Sequence, residues 1–168
     1  ISPLTHFSLD VIYFMNSHFF RSFAFLLGLS SSFSAIAMPT DPLIGTWKVV
    51  DERSGSYLSD IVIRRNSKTE QYSAVIVKMY PQGKEAIPTL CTPCTGALKN
   101  QPIIGMEVLS NLKMLNLNEE FGQGVWINPY DGYKYSLNAR LSKTGKMLTI
   151  NAKNPNNNTF RNMTWIRL

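Results

Sequence analysis

The chain has 168 residues, 44% of them hydrophobic, and a formal net charge of +6 from 17 lysines and arginines against 11 aspartates and glutamates. The basic residues are scattered, with no run longer than Arg64-Arg65, which describes a solvated basic surface rather than a nucleic-acid groove. Both histidines, His6 and His18, fall in a segment expected to be removed, so the mature chain would lack the usual general base, any Ser-His or Cys-His nucleophile pair and the commonest metal ligand.

In chain order the first feature is an export signal. Met15 opens a short polar stretch carrying Arg21, residues 23–29 are apolar, and a serine-rich segment ends in Ala35-Ile36-Ala37. Polar start, apolar middle and small-x-small end are the three parts of a cleavable signal peptide. The apolar run is far short of the roughly 20 residues that span a bilayer. Residues 1–14 read as upstream leader, and residues 38–168 as a single domain of a protein exported to the periplasm.

The mature domain reads as strands separated by turns. Residues 46–51 make the expected first strand and Arg53-Ser54-Gly55-Ser56 the turn after it; 59–65 make a second strand and 71–80 a longer, more apolar third. The connection 81–102 is extended and irregular, and loops of that length are usually functional or pinned. Residues 103–115 fit a strand and a short helix equally well. A further strand at 124–128 ends in the turn Asn128-Pro129-Tyr130-Asp131-Gly132. Residues 133–141 then alternate apolar and polar at every position, the signature of a half-buried antiparallel strand. After the turn Lys143-Thr144-Gly145-Lys146 come strands at 147–152 and 159–168, with a polar loop between them. Short strands without a long amphipathic helix predict an all-β fold, a small antiparallel up-and-down barrel of about eight strands. Closure removes the exposed edges, and it would bring Trp47 of the first strand to Trp165 of the last.

Cys91-Thr92-Pro93-Cys94 lies in the long loop. In an oxidising compartment this spacing is read first as a local disulfide that pins the loop. A thiol-redox role would need a βαβ setting, which is missing here, and zinc would need two further ligands. Arg161, Met163, Trp165 and Arg167 share one face of the last strand. If that face points inward, its guanidiniums either bind a ligand carboxylate or close the barrel structurally against tryptophan and backbone carbonyls, the structural reading standing first. Asp51, Glu52 and Asp60 would form a carboxylate cluster or decorate a hairpin turn. Tyr130, Tyr133 and Tyr135 would line a cavity or simply fill the core. Gly122-Gln123-Gly124 lacks the strand-to-helix setting of a phosphate loop. The acceptor patterns at Asn157 and Asn162 matter only in a eukaryotic secretory route.

Taken together these motifs resemble the bacterial domain-of-unknown-function family 2147, across essentially the whole mature chain. The resemblance begins at Gly45-x-Trp47, followed by Asp51 and Gly55, and continues through the third strand near Tyr80 and the Cys91-x-x-Cys94-x-Gly96 loop. Gln101-Pro102-Ile103-Ile104-Gly105-Met106 is similar to the family's central segment, and Gly124, Asn128, Pro129, Gly132 and Tyr135 to its G-x-I-x-D-P…G-K-x-Y stretch. Trp165-x-Arg167 matches the closing W-x-R. Asn128 stands where the family usually has aspartate, and Ala152 where many members carry an Arg-Gly pair, so no role of that acid or arginine carries over. The resemblance implies a lipocalin-like or calycin-like barrel in which Trp47 packs against a terminal-strand arginine, and it implies export. It implies no activity.

The leading expectation is a periplasmic binding or carrier protein for a small apolar or amphipathic ligand. Its expected binding residues are Arg161, Trp165, Arg167, Tyr133 and Tyr135; Trp47, Gly45 and Asp51 are expected to be structural, and Cys91 to pair with Cys94. The alternative is an envelope structural or stress protein, its barrel filled, acting through its surface or on another envelope protein. An enzyme working through carboxylates or tyrosines ranks last, and no cofactor, metal or nucleic-acid partner is expected.

Overall fold

Polar turns divide the chain into eight strands: β1 (Gly45–Asp51), β2 (Tyr57–Arg65), β3 (Tyr72–Met79), β4 (Glu107–Asn116), β5 (Glu120–Ile127), β6 (Lys134–Leu141), β7 (Met147–Lys153) and β8 (Phe160–Arg167). In the computed structural model of the protein residues 41–168 are described, apart from Glu85 and Asn118; the expected leader and signal peptide lie outside the described residues. Each strand pairs antiparallel with its sequence neighbours, and β1 pairs with β8, so the sheet closes into an up-and-down barrel. The closing register sets Trp47 opposite Arg167 and Val49 opposite Trp165.

The strict alternation read in the sequence is visible in β6, where Tyr135, Leu137, Ala139 and Leu141 are buried and Lys134, Ser136, Asn138 and Arg140 are exposed. Period-two burial of this kind puts one side-chain set inside and one in water. Tyr133, expected to open that strand, lies just before it and is half exposed. Trp47, Trp165, Tyr72 and Phe121 are the largest fully buried side chains. They fill the interior, joined by Ile61, Ile63, Leu109 and Ile150.

Two expected boundaries change for physical reasons. The ambiguous segment 103–115 is resolved as an irregular entry with Ile103 buried, followed by strand β4. Strand β5 starts at Glu120 rather than at Gly124. At Gly122-Gln123-Gly124 the register shifts as at a bulge and Gln123 adopts φ 59°. Gly124 packs closely on Leu112, whose Cδ1 would lie 3.0 Å from an added side-chain carbon. The glycines mark close packing inside a strand, not its end.

The long β3–β4 connection carries one turn of 3-10 helix (Gly96–Leu98) and the Cys91–Cys94 disulfide. Both sulfurs belong to the core. Gly132, at φ +71°, packs so closely on this loop that any side chain there would run into the Pro93 carbonyl. Tyr130 reinforces the contact by donating its hydroxyl to the Tyr80 carbonyl at 3.0 Å. Thus the disulfide loop buttresses the β5–β6 turn, which in turn shapes one end of the barrel.

Candidate functional site

The barrel has two unlike ends. Where β1 begins and β8 finishes, Arg167 lies over the Trp47 ring, 4.3 Å from its centroid. Its Nε donates to the Gly145 carbonyl and its Nη1 to the Ile44 carbonyl, each at 2.9 Å, while Nη2 donates to the Pro42 carbonyl. Trp47 Nε1 donates to the Leu43 carbonyl at 2.9 Å. Gly45 sits at φ +138°, and a side chain there would press on Arg167 Nη1 at 2.9 Å. Beneath them Tyr72 packs edge-on to Phe121, ring centroids 5.8 Å apart. Its hydroxyl donates to Asp41 at 2.9 Å, and burial, then that bond, push the phenol well above its ordinary range. Carbonyls without strand partners at a barrel end need donors, and the Arg167 guanidinium is committed to supplying them.

At the other end the same inward face of β8 presents Arg161. Its Nη2 lies 3.3 Å from Asp131 Oδ2 and its Nη1 4.0 Å from Asp51 Oδ2. The Arg161 side chain is 37% exposed and so faces both protein and solvent. Asp131 is held hard: its Oδ2 also accepts Asn128 Nδ2 at 2.6 Å and the Tyr135 hydroxyl at 2.9 Å, and its Oδ1 accepts the Tyr133 amide at 2.9 Å. Burial pushes the Tyr135 phenol up, and the Tyr135 hydroxyl together with the Asp131 carboxylate raises Arg161. Asp51 is fixed by Ser54, whose amide and hydroxyl both reach its Oδ1.

These groups line an open cleft of about 680 Å³, with Tyr133, Phe160 and Asn157 on its rim. A deeper recess of about 280 Å³ shares Asp51, Arg53 and Arg161 with it and runs down to Leu58, Trp126 and Met163. Trp126 and Met163 are core residues, so the recess has an apolar floor beneath a charged rim. Below Met163 the barrel is closed by packed aromatic side chains.

The expected site residues therefore part company. Arg161, Tyr133 and Tyr135 converge on the cleft. Trp165 is fully buried in the core and reaches neither cleft nor recess, and Arg167 is structural at the closed end. Asp51 does more than close a turn, since it also faces Arg161. Asp51, Glu52 and Asp60 do not form one carboxylate cluster, because alternation sends Asp60 to the outer wall. There it pairs with Lys48 at 3.0 Å and accepts the Tyr80 hydroxyl at 2.9 Å. Among the described residues no group of three acidic, cysteine or histidine side chains could hold a metal ion.

Sequence reasoning missed Asp131, Arg53 and Asn128. Asp131 was legible only as a turn signal beside Gly132; its ion pair joins residues thirty apart in sequence. The departure at Asn128 could have pointed to it. The asparagine amide donates to Asp131, a bond that an aspartate at 128 could not provide.

Residues 45–167 match the model of a family described as uncharacterized protein conserved in bacteria (DUF2147). Among solved structures, a Helicobacter pylori protein, HP1028, described as belonging to the lipocalin family, superposes with a TM-score of 0.60 at 19% identity. The match covers 75% of this chain and 82% of that one. The likeness shows a lipocalin-like fold. No curated protein matches the chain.

Proposed function

This chain belongs to the DUF2147 family of uncharacterized bacterial proteins, and from that premise we propose that it is a binding or carrier protein for a small amphipathic ligand held in the mouth of the barrel. The carrying observation is Arg161, partly exposed between two carboxylates and beside a recess that reaches Leu58, Trp126 and Met163. Small-molecule sites combine an apolar wall with a few fixed polar groups in a space of about 300–1,000 Å³. The ligand's polar part would sit among Arg161, Asp51 and Asp131, its apolar part on Leu58, Trp126 and Met163. A long acyl chain is not the cargo, because Trp47, Trp165, Tyr72 and Phe121 occupy the depth it would need. Export to the periplasm is part of the same proposal, supported by the signal-like segment and by a disulfide that oxidising compartments preserve.

A second reading has its own observation. Val77, Ile87, Leu90 and Ile104, all in or beside the β3–β4 connection, are exposed, and apolar residues around one loop suit a protein partner. Native mass spectrometry of protein purified gently from the periplasm separates the two. A discrete small-molecule adduct, lost in Arg161→Ala, supports the mouth. An adduct-free wild type that stays adduct-free after incubation with cell extract contradicts it and favours the surface.

A further inference from the structure

We infer that the ligand of the mouth is a saccharide, a polyhydroxylated ring with apolar faces, rather than an organic anion or cation. The inference rests on the mouth being the ligand site. Its first support is charge. Although the chain carries +6 overall, the cleft holds Asp51, Glu52 and Asp131 against Arg53 and Arg161. An anion would meet more carboxylates than guanidiniums. A cation would have to compete with Arg161 for acceptors that it already occupies.

The second support is hydrogen-bond geometry. Arg161 Nη1 and Asp51 Oδ2 stand 4.0 Å apart, too far for a direct hydrogen bond. One hydroxyl oxygen reaches both, since two bonds of about 2.8 Å to atoms so spaced subtend roughly a right angle. A hydroxyl donates and accepts at once, so it satisfies the carboxylate and the guanidinium together. A ligand carboxylate can only accept and an ammonium only donate, and either would leave one of the two protein groups unmatched. Neighbouring hydroxyls on a ring would meet the uncharged donors and acceptors of Asn157, Asn162 and Thr159 on the same rim.

The third support is aromatic. Tyr133 is 52% and Phe160 65% exposed, and both line the cleft rather than an open wall. Such rings are costly to leave in water and suit the C–H face of a sugar ring, whose slightly positive hydrogens meet the negative face of the π-system. The turn that carries Tyr133 is fixed by the Asp131 bonds and by Gly132 against the disulfide loop. The platform is therefore set before any ligand arrives, which lowers the ordering cost of binding.

The test is amide chemical-shift mapping of the full mature chain, titrated to millimolar concentration with glucose, N-acetylglucosamine, its β-1,4-linked disaccharide, a medium-chain fatty acid and a set of free amino acids. Shifts at Tyr133, Phe160, Arg161 and Asp131 with a saccharide are expected, with affinity reduced at least tenfold in Phe160→Ala and Arg161→Gln and unchanged in Leu117→Ser. Phe160 is exposed enough for the first variant to fold whatever Arg161 contributes. Shifts at the mouth with the fatty acid or an amino acid and none with any saccharide overturn the saccharide and leave the mouth standing. Saccharide shifts elsewhere, or no shift with any probe, overturn this inference, and the latter result also counts against the mouth as the site.

Discussion

Arg167 and Arg161 sit on the same face of the same strand, yet one is a rivet and the other is poised. Arg167 meets backbone carbonyls and an indole face, partners that are part of the fold and cannot leave. Arg161 meets two carboxylates at 3.3 and 4.0 Å in an open cleft, partners that a ligand can share. The contrast extends around each end. At the closed end Trp47 and Tyr72 are fully buried, whereas at the mouth Tyr133 and Phe160 remain exposed beside a recess that reaches Leu58, Trp126 and Met163. Under the proposed function, stability and recognition fall at opposite ends, with the disulfide loop buttressing the second.

If that division holds, the largest effect comes from Trp47→Ala, which should destabilise the barrel by about 3–5 kcal/mol, as other large aromatic truncations do. Chemical denaturation would read it, and near-wild-type stability would mean that β1 does not seal the closed end. Arg167→Ala strands the carbonyls of Ile44 and Gly145 and should cost about 2–3 kcal/mol, in the range for charged hydrogen bonds. Replacing Cys91 and Cys94 together by serine opens a very short covalent loop and should cost on the order of 2 kcal/mol. Because that loop supports Gly132, the same variant should also weaken ligand binding, a coupling that Arg167→Ala should not show.

The pH dependence sharpens the comparison further. Tyr72, Tyr130 and Tyr135 are all raised, burial first. A raised phenol favours the neutral folded form, so its contribution is intact below the unfolded value of about 10 and is lost as pH rises beyond it. Stability should fall above pH 10, and Tyr72→Phe, at the closed end, should blunt the fall. Stability curves that are flat to pH 12 would contradict the burial of these hydroxyls. The smallest stability change belongs to Arg161→Ala. Its ion pairs are partly exposed and should contribute less than about 1 kcal/mol, while ligand affinity should drop tenfold or more. A large loss of stability in that variant would make Arg161 a second rivet and erase the distinction between the ends.

Much of the architecture was readable from residues alone. Period-two patterning placed β6, β7 and β8 nearly to the residue, a small closed barrel required the β1–β8 pairing, and the family resemblance implied the arginine packed on Trp47. The start of β5 was placed four residues late, at Gly124, because the glycines at 122 and 124 lie inside the strand, where Gly124 packs on Leu112. The site itself was half legible. Alternation places Arg161 and Arg167 on one face, but nothing in a strand pattern says which end of a barrel stays open. That depends on Asp131, brought to Arg161 by closure of the sheet, and on Asn128, whose amide holds that carboxylate in place. Trp165 shows the converse: an aromatic on the inward face that lies fully buried in the core rather than along the cleft.

The most direct test of the division is hydrogen–deuterium exchange of the mature protein, measured before and after incubation with a cell extract. The account predicts new protection at the β1–β2 turn, around Asp131 and at the start of β8, with the segments holding Trp47 and Arg167 protected equally in both states. New protection at the Trp47 and Arg167 end, with none around Asp131, would contradict it.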